Sequence, residues 1–440
     1  MTSTPAQGLP PEPIDSAVVV AVGDELLAGA HPDLNAPELA RFLGSLGVAV
    51  REVRVVADDV EAIAQALLAG AQKARLVFVT GGLGPTLDDV TRDGVAQAAG
   101  VGLYSDRGAI ADLENWYAGR DLPMPESNRR QALFPVGATM IPNGSGTAPG
   151  FRICLGDSWV VSLPGPPREM RHVLGAEVLP WLRRENLVGK PLMQQKAFLF
   201  GVPEGAFAER AGDWMGRAAD PLISCSAKAG SLWITLRAAG TDPALGEARL
   251  SERMEDLRGE FGDAIYSESE PCIGNVLGEA LRSAGVSFTT AESCTGGRVA
   301  GLLTNTAGIS EVFERGFVTY ADAAKHELLG VDRAILEEHG AVSEEVAAAM
   351  ALGAAREARA RLAVSVTGIA GPDGGSPGKP VGLVWFATAL DGVVETFRRE
   401  LPALGRDWVR GVATQTALYR SWLRLHSAGL APVRRQGTRD

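Results

Sequence analysis

The residues best suited to chemistry lie in the last third of the chain. Glu292-Ser293-Cys294-Thr295-Gly296-Gly297-Arg298 follows the strand-like run Val286–Ala291, and a helical segment comes after it. A strand, a turn of small residues and a helix N-terminus make an anion cradle, here with hydroxyls added. Ser310 comes 17 residues after Ser293, then Phe313-Glu-Arg-Gly-Phe-Val-Thr-Tyr320, then Lys325. A serine hydroxyl is a weak nucleophile that needs a base, and a lysine desolvated among apolar neighbours can be that base. Ser310, Lys325 and Tyr320 thus suggest a Ser–Lys hydrolase, with the tyrosine relaying a proton or orienting the amine. Peptide N–H groups of the glycine turns would stabilise an oxyanion. The five-residue step from Tyr320 to Lys325 places tyrosine at a strand end and lysine on the next helix. A plain structural reading stays open: Ser310 caps a helix, Tyr320 packs in the core and Lys325 is solvated.

Two further glycine-rich stretches stand out. Thr367-Gly368-Ile-Ala-Gly-Pro-Asp-Gly-Gly-Ser376 leads through Lys379, and its glycine density suits close backbone approach to a ligand or a mobile surface turn. Near the start, Leu76–Thr80 runs into Gly81-Gly82-Leu83-Gly84-Pro85-Thr86-Leu87-Asp88-Asp89-Val90-Thr91. Its glycines can turn peptide N–H groups toward a phosphate, and Asp88 and Asp89 can hold magnesium or manganese through oxygen. The pattern is neither a Walker A loop nor a dinucleotide fingerprint. Gly23-Asp24-Glu25-Leu26-Leu27 and the downstream Asn35 follow the first strand, where ligands bind in parallel sheets.

The elements that must position these residues follow an α/β rhythm. Ala17–Val22 reads as a strand buried on both faces, Pro37–Leu46 as a helix, Val48–Val56 as a strand, Val60–Ala74 as a helix and Arg75–Thr80 as a strand. Hairpins are expected around Asn143–Pro164 and a long helix over Arg168–Asn186. Lys196–Phe200 and Leu232–Ala238 look like strands and Pro243–Phe261 like a charged helix. Ile273–Ala284, Ser343–Arg361 and Asp407–His426 read as helices, with strands at Leu362–Thr367 and Gly382–Leu390. The fold class is therefore α/β, with a mostly parallel sheet flanked by helices expected in the first domain. The expected divisions are a mobile arm at 1–15, an α/β domain at 16–188, a small α+β connecting domain at 189–270, an α/β domain at 271–428 and a basic tail at 429–440.

Composition narrows the function classes. The 440 residues carry 42 Lys+Arg against 53 Asp+Glu, a net charge of −11, which argues against direct nucleic-acid binding through a global positive field. Four scattered cysteines form no C-x-x-C pair, so zinc ribbons and disulfide frameworks are not expected. No Lys or Arg precedes Arg41 and no apolar run is long enough to span a bilayer, so a cytoplasmic protein with no membrane association is expected. Only six of the basic residues are lysine, which draws attention to Lys325.

Taken together the motifs resemble the CinA family. Val22-Gly-Asp-Glu-Leu-Leu-x-Gly29, the Thr80–Thr91 stretch, Gly144-x-Gly-Thr-Ala-Pro-Gly-Phe151 and Leu163-Pro-Gly-Pro-Pro-x-Glu-Met170 are similar to its N-terminal part. That part is a three-layer molybdopterin-binding-like domain. The resemblance implies phosphate handling by Asp24, Asn35, Gly81, Gly82, Gly84, Thr86 and Thr91, and metal-dependent hydrolysis of ADP-ribose at Asp88 and Asp89. Ala291–Gly297, Phe313–Tyr320, Gly340–Glu344 and Gly368–Gly375 are similar to the family's C-terminal domain, a nicotinamide-nucleotide amidase. This implies deamidation of nicotinamide mononucleotide (NMN) without a cofactor. Ser310 would be nucleophile, Lys325 base and Tyr320 the supporting hydroxyl. Ser293, Thr295, Gly296, Gly297 and Gly368 would line the nucleotide site, with Arg406 or Arg410 on the phosphate. Where the family has an acidic residue before the last helix, this chain has Gly405. The resemblance also implies a homodimer. Two rivals remain: an interaction protein with a competence or recombination partner, and a molybdopterin-binding protein without N-terminal catalysis.

Overall fold

Strand β1 (Ser16–Val22) is buried along its whole length. Its alternate side chains feed two cores: Ala17 and Val19 pack with Leu39, Leu43 and Val173, while Val18, Val20 and Val22 pack with Ile63, Leu67 and Val95. A strand dressed on both faces needs helices above and below, which makes three layers. The computed structural model describes residues 13–188, 193–216, 218–238, 242–431 and 433. They fall into two compact units, Met1–Leu192 and Met193–Asp440.

In the first unit, β2 (Ala49–Val56), β3 (Leu76–Thr80), β6 (Thr139–Ile141), β7 (Gly150–Leu155) and β8 (Ser158–Leu163) complete the main sheet. A ribbon of β4 (Leu103–Ser105) and β5 (Leu133–Pro135) stands apart. The sheet order is β2-β1-β3-β8-β7-β6, parallel through β8 and antiparallel beyond. The helix expected over Arg168–Asn186 is interrupted, with a π-turn at Leu174–Val178 between helices Pro167–Val173 and Leu179–Arg184. Pro180 has no N–H for the carbonyl four residues back, so the α-register cannot run straight through. Of the expected arm, residues 1–12 lie outside the described residues. Its end is anchored: Ile14 is buried and its N–H donates to the Leu187 carbonyl at 2.7 Å.

The second unit holds two sheets. An antiparallel sheet of order β10-β11-β9-β12 comprises β9 (Gln194–Phe200), β10 (Leu222–Lys228), β11 (Ser231–Arg237) and β12 (Ile265–Ser267). The other has the order β14-β13-β15-β16-β17 and comprises β13 (Phe288–Glu292), β14 (Phe317–Val318), β15 (Leu362–Gly368), β16 (Leu383–Leu390) and β17 (Val393–Glu400). Here β14, β13 and β15 run parallel and β16 and β17 antiparallel. The segment expected to be a separate connector shares a core with the last one: Phe198, Phe200 and Tyr266 belong to the same apolar cluster as Val412 and Trp422. Phe200 stacks on Tyr419 with ring centroids 4.5 Å apart. Among the described residues no helix is long and apolar enough to cross a membrane. The expected tail lies outside the described residues from position 434 onward.

Helix Asp322–Leu329 is seated by helix Glu344–Ala358 at a single tight point. A Cβ on Gly353 would lie 2.1 Å from the Leu329 carbonyl oxygen. Helix propensity alone would make Gly353→Ala stabilising by about 1 kcal/mol. Backbone contact reverses the sign, and we expect a loss of about 1–3 kcal/mol in denaturant unfolding. An alanine variant more stable than the parent would disprove this close packing.

Candidate functional site

Strand β13 is buried throughout and ends on Glu292, itself 1 % exposed. The two Glu292 carboxylate oxygens accept the N–H groups of Val299 at 3.0 Å and Ala300 at 2.9 Å. The chain between must therefore fold back over six residues, and Gly296 and Gly297 take positive φ of 60° and 90° to do so. From the other side Arg410 donates Nε to the Cys294 carbonyl and Nη2 to the Thr295 carbonyl, both at 3.0 Å. Arg410 thus braces the turn with the donors a phosphate would need.

The turn forms one wall of a cleft of about 200 Å³ shared by Ser293, Tyr320, Asp322, Lys325, Gly368 and Arg406. Lys325 is 1 % exposed, and its Nζ donates to Asp322 Oδ1 at 3.1 Å and to the Tyr320 carbonyl at 3.4 Å. Tyr320 follows β14 and its Oη accepts from Arg406 Nη2, while Arg406 Nη1 donates to the Gly371 carbonyl at 2.8 Å. The glycine loop after β15 is therefore tied to the same guanidinium that holds the phenol. Cys294 is buried beside Ser293, and burial pushes its thiol up to about 12.

The structure does not bring Ser310 to this cleft. Ser310 is exposed on the short turn Ile309–Glu311. The next residue but one, Val312, accepts the N–H of Phe288, where β13 begins. Ser293 follows the other end of that strand, roughly 13 Å or more away at the usual rise per residue. The cleft holds Ser293 with Tyr320 and Lys325 in its place. Asp322 was not among the expected residues; its signal was an acid three positions before Lys325 in one helical turn. Thr295, Gly296 and Gly297 shape the turn without lining this cleft, and Gly368 lines it.

In the first unit a cleft of about 360 Å³ opens at the C-terminal ends of β1 and β3, lined by Asn35, Gly81, Gly82, Thr86, Asp88 and Asp89 among others. Gly81 and Gly82 have positive φ, and a Cβ there would strike the Val22 carbonyl at 2.3 Å and Thr91 Oγ1 at 2.3 Å. Thr91 Oγ1 donates to the Gly81 carbonyl at 2.8 Å, so Thr91 supports the turn from beneath. Asn35 Nδ2 donates to Thr80 Oγ1 and the Gly165 carbonyl, leaving its buried Oδ1 without a protein partner. Asp24 and Asp58 exchange backbone-to-carboxylate hydrogen bonds, which makes Asp24 a loop brace.

The expected metal pair divides. Both Asp89 oxygens are engaged, one by the Gly84 N–H at 2.7 Å and the other by the Thr86 N–H at 2.8 Å and its hydroxyl. Asp89 therefore holds the loop closed over Gly84. Asp88 is exposed at the cleft, and the Thr86 hydroxyl and Arg130 charge hold it below the usual carboxylate range. Among the described residues no group of three or more His, Cys, Asp or Glu is gathered to hold a metal ion. Sequence reading also missed Arg92, 2 % exposed, which donates to the Leu83 and Gln131 carbonyls under the glycine loop. Burial lowers it to about 10.

Two domain families match this architecture. Residues 272–424 match the CinA C-terminal domain and residues 18–184 the probable molybdopterin binding domain. A putative competence-damage inducible protein of Symbiobacterium thermophilum is 43 % identical over 376 residues, covering 85 % of this chain and 88 % of that protein. A CinA-like protein of Synechococcus is 38 % identical over 408 residues, covering 92 % and 98 %. The crystal structure of a competence/damage inducible protein from Agrobacterium tumefaciens is 46 % identical, covering 34 % of this chain and 90 % of its own, with a TM-score of 0.33. The chain belongs to the CinA family.

The buried thiol gives a direct check on the site. Alkylation at pH 8 should leave Cys294 unmodified in the folded protein, since almost none of it is thiolate that far below about 12. Peptide mass spectrometry showing ready labelling of Cys294 would mean that the turn is open.

Proposed function

We propose that the second unit hydrolyses the carboxamide of NMN, giving nicotinic acid mononucleotide and ammonia. The observation that carries this reading is the meeting of Ser293, Lys325, Tyr320 and Arg406 in one cleft. Ser293 Oγ attacks the amide carbon as Lys325 Nζ takes its proton, with Asp322 and the Tyr320 carbonyl aiming the amine. Arg406 donates to Tyr320 Oη, so the phenol's own proton points elsewhere and is available to the departing ammonia. Water then cleaves the acyl-serine and restores the hydroxyl. The peptide N–H groups of the Ser293–Gly297 turn suit the developing oxyanion. Of the two candidate arginines, Arg406 takes the phosphate, because it lines the cleft while Arg410 braces the turn from outside it.

Ammonia release from NMN should fall on the order of 10³-fold or more in Ser293→Ala and in Lys325→Ala. Ser310→Ala should remain near the parent. Arg406→Ala should raise KM for NMN far more than for nicotinamide riboside, which lacks the phosphate. Turnover surviving in Ser293→Ala, or lost in Ser310→Ala, would defeat the assignment.

For the first unit we propose a nucleotide-pyrophosphate site that hydrolyses ADP-ribose with a divalent cation. The Gly81–Gly82 turn and the unpartnered Asn35 Oδ1 support it. Asp88 fits an oxygen ligand for a cation carried on the pyrophosphate, and the cation would supply charge neutralisation there. With manganese, Asp88→Ala should abolish ADP-ribose hydrolysis. Asp89→Ala should instead cost about 1.5–3 kcal/mol of stability for each charged hydrogen bond lost. A parent protein that binds ADP-ribose and leaves it intact would reduce this unit to a binding domain.

A further inference from the structure

The first unit holds a second recess that the hydrolytic reading does not use. A slot of about 170 Å³ lies between helix Arg107–Ala118 and the loop joining β6 to β7. Trp116 and Leu113 line one side, and Pro142, Gly144, Gly146 and Pro149 the other. Most of the lining is apolar, and Asp112 and Thr147 add polar atoms. None of the lining residues is basic, and the Arg120 guanidinium lies over the Trp116 ring, 3.8 Å from its centroid.

The loop wall is set before any ligand arrives. Asn143 Nδ2 donates to the Ala148 carbonyl at 2.9 Å and to Glu169 Oε2 at 2.6 Å, and Asn143 Oδ1 accepts the Ser145 N–H at 3.1 Å. A Cβ on Gly144 would lie 2.8 Å from His172 Nε2, and one on Gly146 2.1 Å from the Glu169 carboxylate. His172 and Glu169 of helix Pro167–Val173 therefore reach the loop from behind and fill the space beside both glycines. The glycines recognised as a motif in the sequence thus serve close packing, and they present peptide groups to the slot.

Shared supports connect the slot with the phosphate cleft. Pro167 lines the cleft, while Glu169 on the same helix holds the slot's loop through Asn143. On the other side Arg130 donates to the Thr86 carbonyl at the cleft. Two residues earlier, Asn128 donates to Tyr117 Oη at 2.9 Å, beside Trp116. A ligand with its phosphate at Gly81–Gly82 has a ring-sized apolar recess within one continuous framework.

We propose that this slot receives the planar heteroaromatic ring of the nucleotide whose phosphate occupies the cleft. A tryptophan and two prolines suit a flat apolar face, and Asp112 suits the N–H edge of an exocyclic amine. The volume admits one ring system and excludes a folded polypeptide segment. The proposal rests on the phosphate-site reading for its choice of a nucleotide, and the test separates the two.

Adenosine 5′-monophosphate and ribose 5-phosphate share sugar and phosphate and differ by the ring. Both, and adenosine as a third ligand without phosphate, would be titrated calorimetrically into the full chain carrying Arg406→Ala, which silences the phosphate anchor of the second unit. We expect the ring to tighten binding about tenfold, as base–aromatic stacking usually does. Trp116→Ala should erase that advantage and leave ribose 5-phosphate unchanged, and Trp116→Phe should restore most of it. Equal binding of the two ligands, or an unchanged advantage in Trp116→Ala, overturns the slot and leaves the phosphate site standing. Adenosine binding that depends on Trp116, with ribose 5-phosphate failing to bind, upholds the slot and removes the phosphate site. Failure of all three ligands overturns both.

Discussion

Glu292 ends a buried strand with a carboxylate that has no solvent to meet, and much of the second unit follows from how it is satisfied. Its oxygens take two peptide N–H groups from beyond the turn, so the chain must reverse within six residues. Only glycine takes the positive φ at 296 and 297 without strain. Arg410 then answers the carbonyls on the outside of the same turn. A buried acid and a guanidinium thus clamp the backbone between them, and Ser293 is held at the cleft edge by groups that take no part in chemistry.

The first unit solves the same problem with other residues. There Asp89 takes peptide N–H groups from within the glycine loop, Thr91 holds the Gly81 carbonyl, and Arg92 holds the Leu83 carbonyl from below. In both units the conspicuous charged residues of the motif brace the loop, and smaller or more exposed neighbours face the cleft. This follows from the cost of burying polar groups. A tight loop at the end of a buried strand has more peptide groups than it can pair internally, so nearby side chains must supply the partners.

That division explains what was legible in the sequence. Strands such as β1 and β3 were plain because burial on both faces demands unbroken β-branched or apolar runs. The edge strands β10 and β17 were not: they pack one face, carry Ser, Lys, Glu and Arg, and went unread. Helix boundaries followed from caps such as Ser343, whose Oγ accepts the Val346 N–H. Motif spacing identified the right segments around both clefts, yet it could not say which end of β13 a residue reaches. Ser310 and Ser293 are both serines in small-residue turns near that strand. Only the parallel pairing of β14 with β13, which carries the chain back to the Glu292 end, decides that Tyr320 and Lys325 meet Ser293.

The acidic balance of the chain is distributed unevenly between the clefts. The first-unit cleft has no lysine or arginine in its lining and several carboxylates. Burial there pushes Asp58 above the ordinary carboxylate range, and the charges of Asp24, Glu25 and Asp88 add to the effect. On the proposed reading, phosphate charge in that cleft would be met by peptide N–H groups, by the neighbouring Arg130 and by a cation that travels with the ligand. The second-unit cleft instead carries Arg406 and Lys325, so a single phosphate there needs no metal for charge balance. On the proposed readings, the two clefts of one acidic chain would favour opposite ligand states: a metal-complexed pyrophosphate in the first and an uncomplexed monophosphate in the second.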